Sequence, residues 1–221
     1  MQSIIFAGGK GTRMGELTYD TPKPLLNLQG KPILEHILES LPDRIDQIII
    51  VINYLGEKIK NYFGNSFNGL PIEYVSQNSN MPGTGGALWS AKNLINNQFL
   101  ILNSDDIHSL DFLTQMTESP LALGVAKKEW DGYLAVLADN YGNLCDLVPQ
   151  DGQKLISTGA YTLDKRIFEY EPFLTSNKEY SLPRTVLKMA KDYPIKLIYS
   201  DFFMPINTPE DLKKATETMD A

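Results

Sequence analysis

Residues 3–7, 47–52 and 98–102 each form an apolar run with almost no polar interruption. A strand with one face in water alternates apolar and polar side chains, whereas a strand covered on both faces does not. These three runs therefore predict buried strands of a parallel sheet. Between them the apolar residues change period. Ile33, Leu34, Ile37, Leu38 and Leu41 fall at helical spacing, as do Leu55, Ile59, Tyr62 and Phe63, and then Leu88, Ala91, Leu94 and Ile95. Strand–helix–strand repetition of this kind implies an α/β class: a doubly wound, Rossmann-like fold with a mixed, mostly parallel sheet and helices on both faces. In such sheets a ligand sits beyond the carboxyl ends of the strands, which points to the loops after Ala7, Ser76 and Leu102.

The rest of the chain is less regular. Residues 121–126, 133–138 and 144–148 read as shorter strands, with Asn140-Tyr141-Gly142-Asn143 as a hairpin turn between the last two. Residues 155–163 and 195–199 are further strands, and residues 164–170 and 182–191 are helices. Thr208-Pro209-Glu210-Asp211 opens a last helix, with Thr at the N-cap, Pro at the first helical position and Asp at the third. No repeat or linker divides the chain, so the expectation is one domain over residues 1–221. Within it, residues 1–110 carry the regular alternation and residues 111–221 the less regular part.

Charge narrows the partners. The formal net charge is −7 and there is no Lys/Arg run, which argues against a nucleic-acid partner. Cys145 is the one cysteine, so no intrachain disulfide can form, as suits a reducing compartment. No basic segment precedes the apolar start, and no apolar run nears the roughly 18–20 residues that span a bilayer. These features lead us to expect a cytoplasmic protein with neither leader nor membrane segment.

An acidic chain that binds an anion must do so with a few local positive groups. Ala7-Gly8-Gly9-Lys10-Gly11-Thr12-Arg13-Met14 follows the first strand directly. Glycines let the backbone approach closely, and their N–H groups can cradle phosphate oxygens. Arg13 adds a planar fork suited to phosphate. The segment is not a Walker A loop, because no Gly-Lys-Ser/Thr follows, and Met14 stands where a dinucleotide fingerprint needs its third glycine. Further on, Lys23 is held between Pro22 and Pro24, a stiffened cation that would neutralise charge developing on a phosphate. Asp105 and Asp106 follow the strand at 98–102. Adjacent residues point to opposite sides, so one is a metal-ligand candidate and the other could cap the next helix. His36 lies in an amphipathic helix, His108 reads as structural more readily than as a ligand, and Trp89 and Trp130 read as packing residues.

Gly8-Gly9-Lys10-Gly11-Thr12-Arg13-Met14 followed by Thr21-Pro22-Lys23-Pro24 resembles the signature of the sugar-1-phosphate nucleotidyltransferases, the NDP-sugar pyrophosphorylases. Gln77 with Gly83-Thr84-Gly85-Gly86-Ala87 resembles the family's base-recognition segment. Leu102-Asn103-Ser104-Asp105 resembles its Asn-Gly-Asp metal site, and Ile206-Asn207-Thr208-Pro209-Glu210-Asp211-Leu212 its C-terminal signature. The resemblance implies in-line attack of a sugar phosphate oxygen on the α-phosphorus of a nucleoside triphosphate, with Mg²⁺ as cofactor and pyrophosphate as leaving group. It implies that Ala7, Gly8, Gly9, Lys10, Gly11, Thr12 and Arg13 hold the triphosphate, with Gln77, Gly83 and Thr84 at base and ribose. Arg13, Lys23 and Asp105 would be catalytic, and Asp105 would bind the metal. Asn103, Tyr133 and Gly159 would line the acceptor side, with residues 1–110 as the nucleotide-binding half and residues 111–221 as the acceptor-binding half. A homo-oligomer is a further expectation from the family.

The chain departs from the pattern on the metal and acceptor side. Pro205 stands where a second metal-binding Asp is usual, and Asp201 would substitute only if the chain bent toward the site. Residues 147–150 carry no Glu-Lys-Pro, Leu134 replaces a glycine, Ser104 replaces the glycine of Asn-Gly-Asp, and the Gln77–Gly83 spacing is longer than the pattern by one residue. Two readings follow: a transferase with an atypical acceptor, or a nucleotide- or nucleotide-sugar-binding regulator with little turnover. A third, kinship with molybdopterin guanylyltransferases, fits Arg13-Met14-Gly15 but not the distance to Lys23.

Overall fold

The computed structural model describes residues 1–127, 134–149 and 155–219. In chain order the longer strands are β1 (Gln2–Ala7), β2 (Gln47–Ile52), β3 (Leu70–Ser76), β4 (Phe99–Asn103), β5 (Asp106–His108), β6 (Ala122–Lys127), β7 (Leu134–Ala138), β8 (Leu144–Pro149), β9 (Leu155–Leu163), β10 (Lys196–Tyr199) and β11 (Phe203–Pro205). The α-helices are α1 (Ile33–Glu39), α2 (Gly56–Phe63), α3 (Thr84–Ala91), α4 (Leu110–Glu118), α5 (Leu182–Met189) and α6 (Pro209–Met219).

β8-β7-β9-β4-β1-β2-β3 run side by side in a sheet of 10 strands, with β6 and β10 joining through β9. β4, β1, β2 and β3 are parallel to one another, while β9 enters antiparallel to β4. The sheet is therefore mixed, with a parallel centre. The connections leave β1 toward β2 on one side and reach β4 on the other, so the strand order reverses between β1 and β4. A crevice opens at the carboxyl ends of these two strands, where doubly wound sheets bind ligands.

The unbroken apolar runs have a direct cause. Ile5, Ile48, Ile50, Ile52, Leu100 and Leu102 face one core, shared with α1, α2, α4 and α6. Ile4, Ile49, Val51, Phe99 and Ile101 face the other, shared with α3 and α5. Both faces are dry, so neither set of alternating positions can be polar. Each such side chain contributes roughly 1.5–3 kcal/mol on burial, which pins the strand register.

Most predicted elements are present, with boundary shifts of a residue or two. The predicted helix at 164–170 is a 3₁₀ helix, Lys165–Glu169, whose N-cap Asp164 accepts from the Arg166 N–H. The turn at residues 140–143 closes with Gly142 N–H donating to Asp139 at 3.2 Å. Trp89 packs edge-on to Phe168 at 5.1 Å. Trp130 lies outside the described residues.

Candidate active site

One cleft of about 680 Å³ opens at the carboxyl ends of the parallel strands. Gly8 to Arg13 line it from the end of β1, and Asn53 from the end of β2. Gln77 to Ser79 and Pro82 to Thr84 come from the segment between β3 and α3, and Asn103 to Asp105 from the end of β4. Lys23 and Asn207 close one side. Of the residues expected on the triphosphate side, Ala7 alone does not line the cleft: it is a packed strand residue, 1% exposed.

The glycine loop is shaped by Gly11, which has φ +65. A side chain there would be strained and would meet Thr18 Cγ2 at 3.0 Å and Lys23 Cβ at 3.1 Å. The loop turns into a 3₁₀ helix, Thr12–Thr18, tied down by Thr18 Oγ1 donating to Gly11 O at 3.0 Å. Arg13 and Lys10 are exposed and point their charge at the cleft, whereas Lys23 is only 7% exposed. Pro22 sets the extended backbone before it, and Leu25 N–H donates to Pro22 at 2.8 Å. The buried Lys23 ammonium pairs with Asp105 Oδ2. Removing one partner of such a pair strands a desolvated charge, which costs about 3–5 kcal/mol.

Asp105 and Asp106 diverge. Asp105 faces the cleft, while Asp106 is 4% exposed and accepts from Asn103 Nδ2 at 2.9 Å. Burial first, and then the neighbouring Asp105, push the Asp106 carboxyl well above the usual carboxylate range. Asp106 does not cap the following helix. Ser109 does, accepting from Phe112 N–H, because Asp106 lies in β5, paired with β11. His108 is no ligand either. It is 3% exposed and lies against the rings of Phe112 and Phe203 at 5.0 and 5.3 Å, and burial pushes its pKa down to about 3.

The β5–β11 pairing also brings in the C-terminal signature. Ile206 N–H donates to Asp105 O at 2.9 Å, and Arg13 Nη2 donates to Asn207 Oδ1 at 2.8 Å. Thr208 and Asp211 form a reciprocal cap: Asp211 N–H donates to Thr208 Oγ1 at 3.2 Å, and Thr208 N–H to Asp211 Oδ2 at 2.9 Å. Pro205 offers no side-chain oxygen, but Asn207, two residues on, does. Asp201 does not bend toward the cleft, since it accepts from Ser109 Oγ at 2.6 Å beside Lys127 and Phe203. Among the described residues no three His, Cys, Asp or Glu side chains gather around one point. Asp105 and Glu179 are the carboxylates on the described cleft wall, Asp105 paired with Lys23, and Asn207 Oδ1 there accepts from Arg13; oxygens of this kind are hard donors that could hold Mg²⁺ in company with phosphate oxygens.

The segment between β3 and α3 is tied by hydrogen bonds and close backbone packing. Gln77 Nε2 donates to Met81 O at 3.2 Å and to Gly83 O at 3.0 Å. A Cβ on Gly83 would lie 2.6 Å from Tyr180 O, and one on Gly86 would lie 1.6 Å from Met81 O. These glycines permit close backbone packing as well as lining the cleft.

A second pocket, of about 250 Å³, adjoins the cleft and shares Phe6, Thr84 and Asn103 with it. Gly159 lies there, in an irregularity of β9 between Ser157 and Tyr161, with φ +77. Any side chain at Gly159 would overlap Asn103 Nδ2, 2.2 Å from the Cβ position. The expected acceptor residues Asn103 and Gly159 thus meet, while Tyr133 lies outside the described residues. Leu134 lines this pocket too. Asn53, Asn207, Phe6 and Pro183 were not assigned from sequence. Asn53 follows a parallel strand, the signal already used for the other loops, and Asn207 sits inside the C-terminal signature itself.

The nucleotidyl transferase family model matches residues 2–191. The bifunctional protein GlmU of Methanocaldococcus jannaschii is 31% identical over 224 residues, covering 98% of this chain and 54% of that protein. This chain thus spans about half the length of that relative. The D-glycero-α-D-manno-heptose 1-phosphate guanylyltransferase of Campylobacter jejuni is 31% identical over 225 residues, covering 96% of each chain. Among solved structures, a UDP-glucose pyrophosphorylase complexed with UDP-glucose superimposes with a TM-score of 0.83 at 22% identity, over 99% of this chain and 98% of that one, a likeness of fold. Among the described residues no helix is long and apolar enough to cross a membrane. Motifs, cleft and relatives agree over most of the chain, which belongs to the nucleotidyl transferase family, among the sugar-1-phosphate nucleotidyltransferases.

Proposed function

We propose that this chain condenses a nucleoside triphosphate with a sugar 1-phosphate, releasing pyrophosphate and an NDP-sugar. The observation that carries this reading is the convergence of Arg13, Lys23 and Asp105 from separate segments on one cleft at the β1/β4 crevice. Gly8, Gly9, Lys10, Gly11, Thr12 and Arg13 hold the triphosphate, and Gln77, Gly83 and Thr84 face base and ribose. Lys23 leaves Asp105 for a phosphate oxygen when nucleotide enters, so its desolvated charge always has an anion. Asp105, with Asn207 beside it, is the protein's ligand for Mg²⁺. When bound, the cation neutralises charge on the leaving pyrophosphate. The rest is positioning: reacting atoms held in line convert an encounter between two anions into a step within one complex. Asn103, at the junction of the two pockets, marks where acceptor phosphate meets α-phosphate. The regulator reading rested on the departures at Pro205, residues 147–150, Leu134, Ser104 and the Gln77–Gly83 spacing; against the first of these, Asn207 offers an oxygen in the same cleft. We further propose that residues 1–221 act as one domain, in a reducing, cytoplasmic setting consistent with Cys145 as the sole cysteine.

The test is product analysis. The chain is incubated with Mg²⁺, each of ATP, CTP, GTP, UTP and dTTP, and a set of sugar 1-phosphates with phosphocholine as an alternative acceptor. Mass spectrometry should find an NDP-sugar from one pair above all others. Nucleotide binding with no product from any pair would contradict the reading.

A further inference from the structure

Asp106 has no part in the proposed function so far, yet its placement is costly. It lines neither the cleft nor the second pocket and is 4% exposed, so its carboxyl group is withdrawn from water beside Asp105. Taking such a group out of water is unfavourable unless it gains a partner. The partner it gains is Asn103, whose Nδ2 donates to Asp106 Oδ2 at 2.9 Å. Asn103 lines both the cleft and the second pocket.

Three strands close around that contact. Asn103 ends β4, in register with Phe6 of β1. Asp106 opens β5, in register with Pro205 of β11. Gly159 of β9 covers both side chains: a Cβ there would lie 2.2 Å from Asn103 Nδ2 and 3.3 Å from Asp106 Oδ2. A planar amide can be held either way round, and an accepting oxygen selects the way that turns nitrogen toward it. Asp106 Oδ2 makes that selection, and Oδ1 of Asn103 is turned the opposite way. We propose that Asp106 is a positioning residue for nucleotidyl transfer, fixing the orientation of the Asn103 amide where the two cavities meet. This rests on the nucleotidyl-transfer reading and adds a residue to it. Asp106 acts on the sugar phosphate through Asn103 and leaves the glycine loop's hold on the triphosphate unchanged.

The test is a double-mutant cycle, run with the nucleotide and sugar 1-phosphate that give the wild-type chain most NDP-sugar. Asp106→Leu, close in size but with no accepting oxygen, should lower kcat/KM for the sugar 1-phosphate by about tenfold or more. Its affinity for the α,β-methylene analogue of that nucleotide, measured by calorimetry, should match wild type's. Asp106→Asn keeps an oxygen for Asn103 Nδ2 and should stay within about threefold of wild type. In an Asn103→Ala background Asp106→Leu should change nothing further, because the residue it acts through is gone. If Asp106→Leu does not fold, Asp106→Ala takes its place in the cycle. Wild-type kcat/KM in Asp106→Leu, an equal loss in Asp106→Asn, weakened nucleotide binding, or the full loss persisting without Asn103 would each overturn the inference, while wild-type turnover upholds the transfer reading. No NDP-sugar from the wild-type chain with any pair would fail both.

Discussion

Lys23 is buried, and Asp105 is the anion beside it. Under the proposed function a phosphate oxygen takes over that place when nucleotide binds. Lys23→Ala and Arg13→Ala should each lower kcat/KM more than 100-fold, roughly 3 kcal/mol of transition-state stabilisation. Steady-state kinetics near wild type in either variant would remove that residue from the site. Asp105→Asn keeps the shape but loses the charge, so metal-dependent turnover should vanish, and a magnesium titration matching wild type would show that Asp105 is not the ligand. His108 yields a pH prediction. Its folded value, about 3, lies below its ordinary 6.5. Between those values the unfolded chain takes up a proton that the folded chain does not, so stability is full above 6.5 and falls as pH drops. The slope approaches about 1.4 kcal/mol per pH unit. Denaturant unfolding of His108→Leu should show a flatter decline from pH 6 to pH 4. A decline as steep as wild type's would assign acid sensitivity elsewhere.

At the scale of elements, the site is assembled by strand ends and one docked terminus. β11 pairs with β5, and that short ladder sets Asn207 opposite Arg13. The reciprocal Thr208–Asp211 cap fixes the turn between β11 and α6. Thr208→Ala should cost about 1 kcal/mol of stability and, by loosening Asn207, should raise the magnesium concentration needed for half-maximal rate. Stability loss with unchanged magnesium dependence would separate the cap from the site. The parallel strands were legible in the sequence because both their faces are dry, so period and hydrophobicity agree. β5 and β11 were not, since three-residue strands carry no period. Asp106 as a helix cap was a fair reading of an acidic residue before a helix. It failed because Ser109 stands nearer the helix start and β5 intervenes.

At the scale of the molecule, Gly8 to Arg13 and Lys23 line the cleft and Asn103 and Gly159 the second pocket, as the sequence led us to group them, while Phe6 and Pro183 were not read from it. Gly8 to Arg13 are consecutive and Lys23 sits in a second short motif between two prolines, each held by local backbone geometry that a sequence displays. The second pocket joins Phe6, Asn103, Leu134, Gly159 and Pro183 from five separate segments, a grouping that only the sheet order β7-β9-β4-β1 creates. Asn207 reaches the cleft in the same non-local way, carried there by the pairing of β11 with β5. Under the proposed function, chemistry occurs only when both pockets are filled. The most direct measurement is pyrophosphate release in Mg²⁺ with nucleotide alone and with nucleotide plus sugar 1-phosphate. Release only with both, matched one to one by NDP-sugar formed, is the predicted result. Pyrophosphate from nucleotide alone, or tight nucleotide binding with no release under any acceptor, would contradict it.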